Sequence, residues 1–300
     1  MLIFLVFSLF ASAITANKVL LYVMNAQLLV GIRMAAGSLI LALLLYWRTR
    51  KLFSWSLVTQ FFSWILVIAL FTTYFPSNLK AYALAHMPSA KMAFFGTLDP
   101  FITALYAYFL FNERLTGKQW LGIIFGCIGM MILVYGSTPL EGTWFGIVSF
   151  PEFAAFFAIV LSRFGWIQAQ QLLKKECFTP VQLNILLMSI SGIFSLTSVY
   201  LLGLTSLQEL PSLPVLSVLP LSPTGQLVFF LGWTIVIGNV VGYTLYGYAL
   251  KRYSTTFIPL AGFLIPLLVQ LFGWLLLGEP LSFLFFLACG ITFLGVTLLP

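Results

Sequence analysis

Residues 82–134 read YALAHMPSAKMAFFGTLDPFITALYAYFLFNERLTGKQWLGIIFGCIGMMILV, and a related pattern returns near the C-terminus. Residues 246–299 read YGYALKRYSTTFIPLAGFLIPLLVQLFGWLLLGEPLSFLFFLACGITFLGVTLL. An offset of 166 residues pairs the landmarks of the two segments, which are Tyr82-Ala83-Leu84 with Tyr248-Ala249-Leu250, Gly96 with Gly262, Pro100 with Pro266, Glu113 with Glu279, Leu115 with Leu281 and Gly129 with Gly295. Because proline, glutamate and glycine match at one offset without a gap, the pattern indicates an internal repeat rather than a coincidence of composition.

The composition of the whole chain is that of a membrane protein. Hydrophobic residues make up 61% and charged residues 7%, with a mean hydropathy of +1.08, whereas about a quarter of the residues in soluble domains are charged. At about 20 residues per membrane-spanning helix, 300 residues have room for about ten helices and little else. The predicted spans are residues 2–24, 27–47, 57–84, 90–111, 118–135, 143–167, 181–204, 226–250, 255–277 and 281–299.

The basic residues set the expected orientation of these spans. With a cytoplasmic N-terminus, the outer loops carry Lys91 at most. The cytoplasmic loops then hold Arg48, Arg50, Lys51, Arg114, Lys118, Lys174, Lys175, Lys251 and Arg252. An excess of basic residues on the cytoplasmic side is the rule for membrane proteins. We therefore expect an all-α integral membrane protein of the cell (inner) membrane, multi-pass, with ten transmembrane helices and both termini in the cytoplasm.

The repeat and the span count together predict an inverted architecture. Each half, residues 1–136 and residues 137–300, contains five spans, so the second half must lie upside down relative to the first. Inverted repeats are typical of secondary transporters, whose binding site lies near the middle of the membrane between the halves. We therefore predict two inverted five-helix repeats around a central site.

The sequence shows no sign of catalysis, of a metal or cofactor site, or of nucleotide binding. The three cysteines, Cys127, Cys177 and Cys289, have no CxxC spacing and predict neither a disulfide framework nor a metal site. The single histidine, His86, falls at a predicted outer helix end without a Ser/His/Asp set around it. No P-loop pattern is present, so no ATPase activity or ATPase subunit is implied. The net charge of +7 is explained by cytoplasmic loops rather than by nucleic-acid binding.

Six ionisable side chains fall within the predicted spans. They are Lys18, Arg33, Lys80, Asp99, Glu152 and Arg163. A charge at this depth costs about 2.5 to 3.5 kcal/mol, so such side chains usually face a cavity or a partner. Counting from the span ends places Asp99 and Glu152 near the middle of the membrane, beneath a basic outer vestibule. An alternative for three of the bases, Lys18, Lys80 and Arg163, is that the side chain snorkels to the membrane surface. An alternative for the two acids is a structural ion pair.

Other features of the spans extend the candidate site. Glu152 and Arg163 are eleven residues apart, which returns to nearly the same helix face. The pairs Asp99-Pro100 and Pro151-Glu152 place an acid beside a residue that interrupts a helix. Neutral polar and aromatic residues lie at similar depth. The predicted substrate-binding residues are Asp99, Glu152, Lys80, Arg33, Asn78, Asn239, Tyr243 and Phe153.

The two quoted segments resemble the halves of an EamA-type carrier of the drug/metabolite transporter superfamily. Each has a helix ending in Tyr-Ala-Leu, a proline in the next span and a glutamate before the last span. Arg33 also resembles an arginine often found in the second span. The resemblance implies ten helices in two inverted halves around a central cavity. Asp99 departs from the family pattern, because the family usually has an apolar residue directly before this proline. The second half of the chain follows the pattern, with Ile265 before Pro266.

The resemblance implies a secondary transporter that works by alternating access on a small-molecule substrate. Acids, bases and aromatic rings together favour an amphoteric solute with an amino-acid moiety. S-adenosylmethionine, with S-adenosylhomocysteine, is the preferred candidate, because family members in obligate intracellular bacteria are known to carry it. The alternative is an exporter of amino acids, drugs or metabolites with the same fold, and a membrane enzyme is the least favoured class. The sequence leaves the direction of transport and a homodimer open.

Overall fold

The regular secondary structure of the described residues is helical apart from one short pair of strands. The computed structural model describes residues 2–111, 116–135, 143–144, 148–208, 222–253, 258, 262, 264–280 and 282–298. In the first half the helices are α1 (Leu2–Leu21), α2 (Ala26–Thr49), α3 (Trp55–Gln60), α4 (Phe62–Ala69), α5 (Phe75–His86), α6 (Ser89–Phe95), α7 (Asp99–Phe111) and α8 (Gly117–Tyr135). In the second half they are α9 (Phe150–Lys174), α10 (Pro180–Leu202), α11 (Pro223–Trp233), α12 (Tyr243–Arg252), α13 (Leu264–Phe272) and α14 (Phe283–Thr297). Strand β1 (Thr143–Trp144) pairs antiparallel with β2 (Val148–Ser149).

Within the described residues, five stretches of helix are long and apolar enough to cross a membrane. They are Ala26–Thr49, Phe62–His86, Phe150–Lys174, Pro180–Leu202 and Pro223–Arg252, and shorter apolar helices accompany them. Helical residues fall within all ten predicted intervals. The interval 143–167 was nevertheless placed too early, because the helix begins at Phe150 and continues to Lys174. The predicted kink at Pro151 is also wrong, since this proline lies in the first turn, where it has no helical N–H bond to lose.

Several helix pairs among the described residues pack closely through glycine, and two of them show the pattern. A Cβ atom on Gly192 of α10 would lie 2.8 Å from the backbone nitrogen of Ala35 in α2. A Cβ atom on Gly295 of α14 would lie 2.7 Å from the carbonyl oxygen of Gly122 in α8. Small residues allow helix backbones to approach in this way, which is the usual form of packing in membranes.

Among the described residues, wider π-helical turns occur at Leu70–Tyr74, Thr234–Gly242 and Gly273–Leu277, the last of them at the end of its helix. The first precedes Pro76, whose ring would crowd the carbonyl of Thr72 in a regular helix. Shifted by the 166-residue offset, residues 70–74 become 236–240, which lie inside the second segment. Both distortions therefore occur directly before the helices α5 and α12, which carry residues of the site described below.

The two ends of the helix bundle differ in charge. Gln170 donates a hydrogen bond to the carbonyl of Leu250 at 2.8 Å, and Gln182 donates one to the carbonyl of Leu52, also at 2.8 Å. These contacts bring the ends of α2, α9 and α12 and the start of α10 together, and we call this end the basic end. It carries Arg48, Arg50, Lys51, Lys174, Lys175, Lys251 and Arg252. The opposite end, called the far end, holds the turns from α1 to α2 and from α5 to α6.

Candidate functional site

A cavity of about 230 Å³ lies among α1, α2, α5, α9 and α12 and extends to Asp99 at the start of α7. Its polar lining consists of Asn17, Arg33, Ser77, Lys80, Asp99, Ser162, Arg163, Tyr243 and Tyr246. The structure thus brings four of the eight predicted substrate-binding residues to one cavity. These four are Arg33, Lys80, Asp99 and Tyr243.

Neutral amides hold Arg33 in the cavity wall. Its Nη1 donates to Asn17 Oδ1 at 2.6 Å, and its Nη2 and Nε donate to Asn239 Oδ1 at 3.0 and 3.3 Å. Asn239 in turn donates to the backbone carbonyl of Arg33 at 3.3 Å. Among the described residues no carboxylate lies within ion-pair distance of this guanidinium. Arg33 is therefore an oriented, buried cation whose charge is not cancelled by a neighbouring acid.

Asp99, Arg163 and Tyr246 form a second polar group. Arg163 Nη2 lies 3.3 Å from Asp99 Oδ2 and donates to the Tyr246 hydroxyl at 3.2 Å. The side chain of Arg163 is 4% exposed and that of Asp99 25%. Asp99 Oδ1 and Arg163 Nε are buried without a hydrogen-bond partner in the described part of the chain. Because buried polar atoms are nearly always bonded, these two atoms are positions for a ligand or water.

Lys80 lines the same cavity from α5. Within the described residues it has neither an ion pair nor a hydrogen bond of its side chain. The cavity lining therefore carries three cations, Arg33, Lys80 and Arg163, against the single carboxylate of Asp99. The described lining is therefore predominantly basic, whereas the sequence analysis placed two acids, Asp99 and Glu152, at its centre.

Aromatic rings form the wall of the cavity nearest to α12. Trp166 stacks on Tyr243 with 5.9 Å between ring centroids, and it meets Tyr246 edge-on at 4.8 Å. Phe10 of α1 lies 5.7 Å from Tyr243 and 5.9 Å from Tyr246. Such a cluster suits a planar ring or an organic cation.

Glu152 lies away from this cavity, and it lies at the start of its helix rather than near the middle of a span as the sequence analysis placed it. It occupies the first turn of α9, where its carboxylate accepts hydrogen bonds from the backbone N and the Oγ of Ser149 in a capping box. The same carboxylate forms an ion pair with Lys91 of α6. Glu152 and Arg163 do share a helix, but eleven residues separate them by about 16 Å along its axis. The carboxylate therefore joins α9 to α6 near the far end.

Three other residues from the sequence analysis also lie elsewhere. Asn78 donates to Ser195 Oγ at 3.0 Å and lines a second cavity of 680 Å³ at the far end. Phe153 is 41% exposed and packs on Phe157. Lys18 does not snorkel, because its ammonium donates to the carbonyls of the last residues of α5 and the turn after it. The three acceptors are Leu84 at 2.6 Å, Ala85 at 3.3 Å and Met87 at 3.0 Å.

Sequence reasoning did not single out Phe10 and Asn17, both contributed by α1. Phenylalanine is uninformative here, because the chain has 31 of them. Asn17 offered a usable signal, since an amide within an apolar span needs a hydrogen-bonding partner, and Arg33 is that partner.

Comparison with known proteins supplies independent information. The model of the EamA-like transporter family matches residues 1–135 and 149–299. The S-adenosylmethionine/S-adenosylhomocysteine transporter of Chlamydia muridarum (strain MoPn / Nigg) is 28% identical over an alignment of 305 residues. The alignment covers 99% of this chain and 90% of that protein. The transporter of the same name from Chlamydia trachomatis serovar L2 is 26% identical over 241 residues, which cover 78% of this chain and 69% of its own. A solved crystal structure of a protein with 16% identity covers 99% of this chain and 94% of its own with a TM-score of 0.65, which shows a shared fold alone.

Proposed function

The chain belongs to the EamA-like transporter family and is a multi-pass membrane transporter rather than an enzyme, and from this premise we propose that it carries S-adenosylmethionine and S-adenosylhomocysteine. The transport is that of a secondary carrier working by alternating access, with the cavity around Asp99 and Arg163 as the substrate site. The name of the Chlamydia relatives, which are 26% to 28% identical to this chain, supports this substrate.

One observation carries the proposal. Asp99 Oδ1 and Arg163 Nε, an acceptor and a donor, are buried without partners in the described residues and line the same cavity as the aromatic cluster. Oriented groups of this kind in a cavity are typical of a ligand site with a few specific polar contacts.

The chemistry of the substrate matches this lining. S-adenosylmethionine has a carboxylate for the cations, and an ammonium and a sulfonium for Asp99 and for the faces of aromatic rings. Its adenine ring suits the space beside Trp166 and Tyr243. S-adenosylhomocysteine lacks only the S-methyl group and, with it, the sulfonium charge, so we propose the same cavity for both.

The test uses the purified chain in liposomes loaded with unlabelled S-adenosylhomocysteine. We expect these liposomes to take up more labelled S-adenosylmethionine than liposomes without the protein (empty liposomes). Uptake should fall sharply in Asp99→Asn. Lack of uptake above the empty liposomes, with protein that is folded by its unfolding curve, would refute the proposal. Competition by simple amino acids as strong as that by S-adenosylhomocysteine would favour the amino-acid exporter instead.

The same proposal includes the arrangement in the membrane. We propose ten spans in two inverted five-helix repeats, residues 1–136 and 137–300, in the inner membrane with the basic end and both termini in the cytoplasm. The gathering of seven basic residues at one end supports this orientation. Cys177, between α9 and α10 at the basic end, provides a test in a Cys127→Ser, Cys289→Ser background. A membrane-impermeant maleimide should label it in inside-out vesicles and not in intact cells, and the reverse result would overturn the orientation.

A further inference from the structure

The lining of the cavity contains residues at equivalent positions of the repeat. Five pairs are related by the offset of 166 residues, and both members of every pair line the cavity. The pairs are Ser77 and Tyr243, Lys80 and Tyr246, Met92 and Ile258, Gly96 and Gly262, and Asp99 and Ile265. The same offset that relates the sequence landmarks therefore also relates the two walls of the site.

Three of the five pairs differ in chemistry in the same direction. The first copy contributes Ser77, Lys80 and Asp99, whereas the second contributes two tyrosines and an isoleucine. We call the first set the charged wall. The tyrosines join Trp166 and Phe10 in one group of ring contacts, which we call the aromatic wall. A solute with unlike ends therefore has one favourable orientation between these walls.

The contacts on the charged wall indicate which end of a solute it takes. Asp99 is paired with Arg163, so its charge is partly compensated. The ammonium of Lys80 has no such pairing in the described residues, and an ammonium inside a membrane protein calls for an anionic partner. At the equivalent position, the Tyr246 hydroxyl accepts a hydrogen bond from Arg163.

We propose that Lys80 binds the carboxylate of the substrate and thereby orients it, with its heteroaromatic ring on the aromatic wall. This assignment rests on the proposed function, because the carboxylate belongs to the amino-acid moiety of that substrate. Lys80 is then the residue that distinguishes solutes with a carboxylate from those without one. Its charge-assisted hydrogen bond sets the size of that preference, which is about tenfold in affinity.

Binding of two ligands to the same protein tests the assignment. S-adenosylmethionine and its decarboxylated analogue differ only in the carboxylate, and their dissociation constants are measured on the wild type, Lys80→Gln, Lys80→Arg and Lys118→Gln. Lys118 is exposed at the start of α8, so Lys118→Gln removes the same charge outside the cavity. We expect the wild type, Lys118→Gln and Lys80→Arg to prefer the carboxylate ligand by about tenfold, and Lys80→Gln to bind both ligands equally.

The ratio of the two dissociation constants is measured within each variant. A general loss of stability affects both ligands alike and therefore does not change this ratio. Should Lys80→Gln fail to fold, Lys80→Met is measured in the same way. A preference that persists without the lysine would overturn the assignment, as would equal binding of both ligands by the wild type. A wild type that binds neither ligand would instead refute the proposed function, so the two failures are distinguishable.

Discussion

Replacing Glu152 with glutamine separates a structural role of this residue from the substrate-binding role that the sequence suggested. Its Oε1 pairs with Lys91, and its Oε2 accepts hydrogen bonds from the N and Oγ of Ser149 at 2.6 and 2.9 Å. Glutamine keeps an oxygen for Ser149 but turns an amide NH₂ towards the ammonium. The change therefore preserves the cap of α9 and removes the ion pair between α9 and α6.

The burial of the pair sets the expected magnitude. The side chains of Lys91 and Glu152 are 9% and 5% exposed. Removing one charge of a buried pair costs about 3 to 5 kcal/mol. Because the cap survives in Glu152→Gln, we expect a loss near the lower limit, about 3 kcal/mol. The double variant Lys91→Met, Glu152→Gln removes both charges and should recover part of this loss, with an interaction energy of about 2 kcal/mol.

Unfolding in detergent and substrate affinity are measured on the same preparations. We expect Glu152→Gln to lower the free energy of unfolding while the dissociation constant of S-adenosylmethionine stays within about twofold of the wild type. Asp99→Asn should show the opposite pattern, with weaker binding and a smaller effect on stability. The reasoning is refuted if Glu152→Gln weakens binding strongly and leaves the unfolding curve unchanged.

Three further predictions concern contacts of the site and the bundle. Lys18→Met should lower the free energy of unfolding by about 2 to 4 kcal/mol, because three carbonyls lose their donor; an unchanged unfolding curve would restore the snorkelling interpretation. Tyr246→Phe removes the hydroxyl that accepts from Arg163 and should weaken substrate binding by about 1 kcal/mol, roughly fivefold, in an equilibrium binding assay; unchanged affinity would place this hydroxyl outside the site. Gly192→Val should separate α10 from α2 at Ala35 and cost about 2 kcal/mol in the same unfolding assay, whereas full stability would contradict the close packing.

The predicted residues came together in one cavity where the prediction relied on charges in the membrane. Arg33, Lys80 and Asp99 were chosen because an ionisable group in a span usually faces a cavity or a partner, and all three line one cavity. Depth was less reliable, because it was counted from span ends. Because the start of one span was predicted too early, Glu152 was placed near a midpoint although it lies in the first turn of α9. The sequence also left open that Lys18 snorkels, which its three hydrogen bonds to backbone carbonyls exclude.

A local signal would have corrected the position of Glu152. The sequence Ser149-Phe150-Pro151-Glu152 before an apolar run has the serine, first-turn proline and third-position glutamate of a capping box. Hydropathy averages over a window and cannot locate a helix start to within one turn, whereas a cap specifies one residue. The pairing with Lys91 had no comparable signal, since it depends on how α6 packs against α9.

The repeat relates features of two kinds, and the difference between them indicates what each does. Proline, glycine and glutamate are the same in both copies, and Glu279 accepts hydrogen bonds from the backbone N and Oγ of Ser89, which fixes the start of α6. Such contacts set backbone geometry, which both halves need equally. On the proposed function, a single substrate with unlike ends would lie between the two copies, so the lining pairs would not need to be equal. A charged group on both walls would make the two orientations of an amphoteric solute equivalent. The replacement of Lys80 and Asp99 by tyrosine and isoleucine in the second copy leaves one orientation favourable.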